Sequence, residues 1–414
     1  MMKKIFTLIM MFAVLYSSYA QNKNEKEYQY PPFQVTFFPP LGTNGIYSGN
    51  AVNKLSFNIL AGYSAGLEGL EIGCFLNVEK DFVKGIQIAG FSNLVGGNVT
   101  AVQIAGFANA NWGNAYGSQI AGFANAAIGD LKGSQIAGYA NIANGNVDGI
   151  QVSGFANVAL DSLKGLQIGG FANIAVGPVK GSQISGYANI AIGNLKGVQI
   201  SGFANITTGN VKGTQISGFA NYSRDLKGVQ IGFINVAHSA DKGLPIGFLS
   251  VVKEGLRQFE LSGGTTLHTN VAFKTGVDHF YNIFALGVNY KGEDLRWGPG
   301  YGIGTLLKFS PSFFGNIELM TYHIVEDWDD SWKGFWDRND LNLLNQAKFN
   351  FVFRANKHFS IFAGAEFNVM VSQYNSGSDN EIGSDIAPWT VYDRTRKDTN
   401  VKMWPGFNIG IRIM

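Results

Sequence analysis

A seven-residue word, Gln-Ile-Ala-Gly-Phe-Ala-Asn, returns every 16 residues through the middle of this chain with no insertion. Its first position falls at Glu71, Gln87, Gln103, Gln119, Gln135, Gln151, Gln167, Gln183, Gln199 and Gln215, and two 15-residue steps then reach Gln230 and Pro245. A short fixed period excludes an ordinary globular core, because no single unit can bury its own apolar face and each must stack on its neighbours. Glycine recurs before the word (Gly133, Gly165), inside it (Gly138, Gly170) and late in the unit (Gly129, Gly145), which suits a three-cornered coil of short strand pieces.

Stacking such coils in parallel sets like residues over like. Ile104, Ile120 and Ile136 make an apolar column, Phe107, Phe123 and Tyr139 an aromatic one, and Leu131, Val147 and Leu163 a third. Asn109, Asn125 and Asn141 make an amide ladder that can hydrogen-bond along the axis. The competing arrangement is an antiparallel barrel with one strand per unit. It would ask one sequence to serve upward and downward strands alike, so the parallel solenoid is preferred.

The first twenty residues carry Lys3 and Lys4, an apolar run and a small-residue ending at Ala20, the pattern of a cleaved signal peptide. Residues 21–52 form an amino-terminal segment, and no Cys follows the cut to carry a lipid. The 31 basic and 29 acidic residues nearly balance, which argues against a nucleic-acid partner. The one cysteine, Cys74, stands in the Gly slot of the first repeat and reads as a small buried hydrophobe.

After residue 255 the period changes from 16 to two. Phe407, Ile409, Ile411 and Ile413 alternate with Gly406, Asn408, Gly410 and Arg412, the alternation of a barrel that is apolar outside and polar within. Similar strands are expected at 271–276, 281–290, 301–309, 315–324, 344–354 and 359–372. Long loops are expected after Tyr290, Ile324 and Gln373, and short turns after Gly276, Phe309 and Arg354. Lys274, Lys308, Glu318, Lys348, Arg354, Glu366 and Arg412 fall on the polar face and should pair inside a plugged lumen. An even count of about eight strands needs one more. Residues 258–263 would place the array on the periplasmic side, whereas the longer amphipathic run at 53–64 would make it an insertion in an outer loop and is preferred.

The expected chain is therefore all-β: a signal peptide, a β-solenoid over 65–255 and an outer-membrane-type barrel over 256–414, in contact with outer-membrane lipid. Between Gly85 and Pro245 there is no Glu and the five Asp are scattered, so a polysaccharide-cleaving solenoid lacks its acid–base pair. No nucleophile motif, phosphate loop or metal-ligand spacing stands out, and no cofactor is expected. Two features suggest ligand contact. Lys132, Lys164, Lys180, Lys196, Lys212 and Lys227 share one slot and could meet an anionic glycan or lipopolysaccharide. The loop bearing Asp327, Trp328, Asp329, Asp330, Trp332 and Trp336 mixes carboxylates with flat rings suited to a cation or a sugar. Set against these are two plainer roles, lysines that keep a solenoid soluble and an aromatic girdle beside an acidic loop. The segment 374–402 reads as a polar outer loop.

The words Gln-Ile-Ala-Gly-Phe-Ala-Asn and Lys-Gly-Val-Gln-Ile-Ser-Gly-Phe-Ala-Asn resemble those of the surface-repeat-containing proteins of Bacteroidota and spirochaetes, over about residues 70–255. That resemblance implies an exported, envelope-associated protein and brings no catalytic residues with it. Two readings follow: a non-enzymatic surface protein presenting its repeats for adhesion, or a transport or assembly component with a periplasmic solenoid.

Overall fold

The computed structural model describes residues 27–291, 294–326, 341–375 and 382–414, so the expected signal peptide lies outside the described residues. The fold is all-β, with 71% of residues in strands: parallel solenoid coils at 16-residue spacing, followed by a closed eight-stranded antiparallel barrel. Two compact units divide the chain, residues 1–161 and 162–414.

In the first unit the coils from residue 92 onward each hold a long strand such as Leu131–Ala137 and a short one such as Ala140–Ala143, whereas the coils before them run as continuous strands, Ala61–Gly73 and Leu76–Ala89. Successive coils pair in parallel at an offset of 16, with Leu131 beside Val147, Gln135 beside Gln151 and Asn125 beside Asn141. The glycines act differently from three equal corners. Gly133 takes φ +134° and kinks the long strand, whereas Gly138 is required by closeness, since a Cβ there would stand 2.1 Å from the carbonyl oxygen of Gly122.

The inside of a coil is narrow and takes Leu131, Gln135, Ala137, Asn141 and Ala143, while Lys132, Ile136, Tyr139 and Ile142 face out. Buried amides must find partners, and in a stack the next coil supplies them. Gln119 Nε2 donates to Gln103 Oε1 and Gln135 Nε2 to Gln119 Oε1, each at 2.8 Å. The Asn ladder runs the other way, with Asn109 Nδ2 donating to Asn125 Oδ1 at 2.9 Å. The two rows of amide dipoles therefore oppose each other.

The preference for residues 53–64 as a barrel strand is overturned. Val52–Asn58 lies in the first coils, paired in parallel with Phe33–Phe38 on one side and Ala61–Gly73 on the other. Ser56 and Asn58 do share a polar face, but that face closes a solenoid, both donating to the buried carboxylate of Glu71, and Lys54 breaks the alternation by facing out across a register shift between Asn53 and Leu55. Glu71 also accepts from Gln87 Nε2 at 2.8 Å. Receiving donors from both sides, this first rung calls for an acceptor-only side chain, which explains Glu in a Gln slot. Cys74 is exposed, contrary to expectation, because the Gly slot it fills lies on the outer surface of the coil.

The second unit carries further coils of the same design and then the barrel. Its strands are Leu256–Gly264, Thr269–Val277, Phe280–Lys291, Asp294–Lys308, Phe313–His323, Asn342–Arg354, Phe359–Ser372 and Thr399–Ile413. The first closes on the last in antiparallel register, Phe259 beside Ile413 and Gly263 beside Ile409. Gln258, Glu260 and Ser262 point in and are buried; Phe259 and Leu261 point out and are exposed. Tyr290 is followed by strand and not by a long loop, because the hairpin continues to Lys291 and Asp294. The 374–402 segment is also partly structured: Tyr392–Arg396 pairs with the last strand, and Ile386 is buried among the lumen residues.

The rim where Leu256 enters and Ile413 ends carries only short connections, 278–279, 309–312 and 355–358. The two long connections leave and rejoin the opposite rim, between His323 and Asn342 and between Ser372 and Thr399.

Candidate functional site

Within the second unit the last coil packs on the outer wall of the barrel near the short-turn rim. Two polar residues that point out of the wall, Asn282 and Thr275, are consumed there. Asn282 accepts from the backbone N–H of Ser250 at 2.8 Å and donates to the carbonyl of Gly247 at 2.7 Å, and Thr275 Oγ1 donates to the Ser250 carbonyl at 3.0 Å. Beside them Phe248 stacks on Tyr301 at 4.8 Å and meets Phe284 edge-on. Below this contact a crevice of about 360 Å³ opens at the rim, lined by Asp241, Glu254, Arg257, Asp278, His279 and Arg354.

The lumen is filled. Lys274 Nζ lies 2.5 Å from both Glu260 Oε2 and Glu318 Oε1, and Arg412 Nε donates to Glu260 Oε2 at 2.7 Å. Tyr281 Oη and Asn316 also donate to Glu318, and Phe362 lies under the Arg412 guanidinium. Lys348 faces Glu318 and Glu366 across adjacent strands. Trp404, Tyr322, Phe314 and Met370 occupy the rest of the interior. Lys274, Glu318, Lys348, Glu366 and Arg412 are thus buried as expected, while Lys308 is exposed at the end of its strand. Such a set of mutually paired charges braces a lumen; among the described residues no group of three or more His, Cys, Asp or Glu is placed to hold a metal ion.

The lysine slot is surface. Lys164, Lys180, Lys196 and Lys212 stand in register on consecutive coils of the second unit, all exposed, and Lys227 follows one coil later at the shortened spacing. Lys132, in the first unit, is exposed between Tyr116 and Asp148 and lies over the Tyr116 ring. Of the acidic aromatic loop, Asp327, Trp328, Asp329, Asp330, Trp332 and Trp336 lie outside the described residues. Its neighbour Glu326 is engaged with Arg296 Nε at 2.6 Å and Asn342 Nδ2 at 2.9 Å.

What the sequence reading missed is the character of the outer face. Ile200, Phe203 and Ile206 of one coil are each about two-fifths exposed, at 38%, 40% and 37%. The aromatic column stacks in the open: Tyr187 on Phe203 at 4.8 Å, Phe203 on Phe219 at 5.0 Å and Phe233 on Phe248 at 5.0 Å. From residue 85 to residue 223 the only charged side chains are Asp130, Lys132, Asp148, Asp161, Lys164, Lys180, Lys196 and Lys212. All sit at one corner of the coil, in the Lys slot or at the turn leading into it. The signal was strand parity: Lys132 and Ile136 share a face, so an outward Lys implies an outward Ile.

At the start of the array two carboxyls are buried. Desolvation raises the Glu71 carboxyl above the ordinary carboxylate range and raises Glu79 further, the neighbouring Glu71 charge adding to the effect. Ser64 Oγ reaches both oxygens of Glu79, at 2.8 and 2.6 Å.

No family model matches the chain, and neither a curated protein nor a solved structure is similar to it.

Proposed function

We propose that this is a non-enzymatic outer-membrane protein in which the plugged barrel is the anchor and the solenoid is a repetitive scaffold held on the periplasmic side. The observation that carries it is the identity of the first barrel strand. Leu256–Gly264 pairs with Thr399–Ile413, so the array joins the barrel at the rim with short turns. In outer-membrane barrels the short turns are periplasmic and the long loops external. The apolar outside of the wall and the paired charges inside it support a membrane anchor better than an open pore.

Protease shaving tests the sidedness. The repeats should stay intact on whole cells and be cut once the outer membrane is permeabilised. Cleavage on whole cells, with a periplasmic control protected, would refute it. That outcome would favour a second reading, adhesion to an anionic glycan or lipopolysaccharide, which draws on the in-register Lys row. A role in transport or assembly fits the periplasmic reading and would show as a co-purifying envelope partner.

A further inference from the structure

We infer that the solenoid lies on the leaflet of the same membrane, with its Ile and Phe columns among the acyl chains and its Lys row at the level of the lipid phosphates. This rests on the reading of the barrel as membrane-inserted and goes beyond it, since an anchor alone says nothing about what covers the repeats.

Three observations converge. First, within the second unit the outer apolar columns run over five rows, from Ile168 to Ile231, and the one charged side chain on their strand face is Arg224, two residues beyond Tyr222 near the barrel end of the array. At about 4.8 Å per row and about 3.3 Å per residue along the chain, the apolar surface that wraps the bend from the Ile200 strand through Phe203 to the Ile206 strand measures on the order of 500 Å². That lies at the upper end of what a water-soluble monomer leaves open, about 300–600 Å². Second, the face is continuous with the barrel wall. The stack through Phe219, Phe233 and Phe248 ends on Tyr301, an outward residue of the Asp294–Lys308 strand. The medium that wets Tyr301 and Phe284 therefore also reaches the solenoid columns. Third, the Lys residues stand one above another at a spacing where like charges repel, and a plane of phosphates would relieve them. An apolar face edged by lysines is the make-up of a surface that lies in a membrane interface.

The interior fits the same environment. Its amides bond to each other from coil to coil, so the array does not need water outside to satisfy them.

The test uses the full chain with Cys74→Ser, reconstituted in vesicles of phosphatidylethanolamine and phosphatidylglycerol, with single nitroxide labels at Ile200→Cys, Ile168→Cys, Lys196→Cys and Phe367→Cys. Phe367 lies on the barrel wall and serves as the reference. Accessibility to oxygen, relative to a water-soluble nickel chelate, should be several-fold higher at 200, 168 and 367 than at 196. If 367 is lipid-facing while 200 and 168 match 196, the inference fails and the barrel reading stands. If 367 is also water-facing, both fail. Spin–spin broadening at 200 that disappears on dilution with unlabelled chain would show a second copy on the face and overturn the lipid assignment.

Discussion

Replacing one rung of the glutamine ladder measures how dry the solenoid interior is. Gln183 Nε2 donates to Gln167 Oε1 at 2.8 Å, and Gln183 Oε1 accepts from Gln199 Nε2 at 2.7 Å. Gln183→Met keeps nearly the same volume and removes both bonds, taking the ladder acceptor from Gln199 Nε2 and the ladder donor from Gln167 Oε1. Each buried polar group deprived in this way costs about 1–3 kcal/mol, so the pair costs about 2–6 kcal/mol. In a quasi-one-dimensional stack the loss should stay local, concentrated in Val179–Ser185 and the strands paired with it, Leu163–Gly169 and Leu195–Ser201. Hydrogen exchange of the full chain reads this directly as local opening. Since about 1.4 kcal/mol is a factor of ten, those amides should exchange roughly 30-fold to 10⁴-fold faster. Gln183→Glu should recover protection only at low pH, where its protonated carboxyl can both accept from Gln199 and donate to Gln167, and lose it as pH rises. Protection unchanged to within about 0.5 kcal/mol in the Met variant would mean that the amides are hydrated in place, and the dry-ladder reasoning would be wrong.

Two further perturbations follow from buried charge. Lys274→Met leaves Glu260 and Glu318 facing each other with Arg412 as the shared counter-charge, and should destabilise the barrel by about 3–5 kcal/mol. Thermal unfolding in detergent checks it; adding Glu318→Gln should recover part of the loss, and no recovery would show that packing and not charge was disturbed. Glu79→Gln should stabilise the first coils at neutral pH. The folded state holds the Glu79 proton more tightly than the unfolded chain does, so native stability falls as pH rises above the ordinary value of 4.5 towards the raised one. Hydrogen exchange of Leu76–Ala89 across that range should show the slope in the native chain and a flatter one in the variant.

The 16-residue period makes coils or one-strand units legible, and the sameness of every unit favours the parallel coils that place Gln135 beside Gln151 and Asn125 beside Asn141. The barrel was legible for a different reason, a period of two with charge on one face. The first barrel strand was not. The run at 53–64 alternates apolar and polar residues as a membrane strand does, and local pattern cannot say whether Ser56 and Asn58 face a lumen or a coil interior. Contact with Glu71 decides it, and that contact depends on the fold. The exposure of Cys74 is not legible in its slot, because a recurring Gly signals a close backbone approach without saying which side of the coil it faces. Charge alone marks the Lys slot as surface, whereas the apolar columns beside it carry in the sequence only the signal of stacking.

Those columns follow from the size of the coil. Sixteen residues enclose too little space for an aromatic ring on every turn, so Phe and Ile go outside and the interior takes mainly Leu, Val, Ala, Ser, Gln and Asn. A designer of a water-soluble solenoid under that constraint would place charge on the outer strand positions. This chain places Ile and Phe there and confines every charge between residues 85 and 223 to one corner. The barrel obeys the same rule, with Glu260, Lys274 and Arg412 inside and Phe259, Ile409 and Phe407 outside. Two architectures with different periods have thus been given one polarity, and Phe248 stacking on Tyr301 joins their outer surfaces without a break. A shared solvent for both surfaces accounts for that agreement, and substituting Ile184→Glu tests it without labels. In water an outward Glu on an exposed strand position should be nearly neutral, within about 0.5 kcal/mol. Against acyl chains it should cost about 2 kcal/mol or more and weaken protection of the surrounding coils in vesicles. A neutral result in vesicles would separate the two surfaces and leave the solenoid in water.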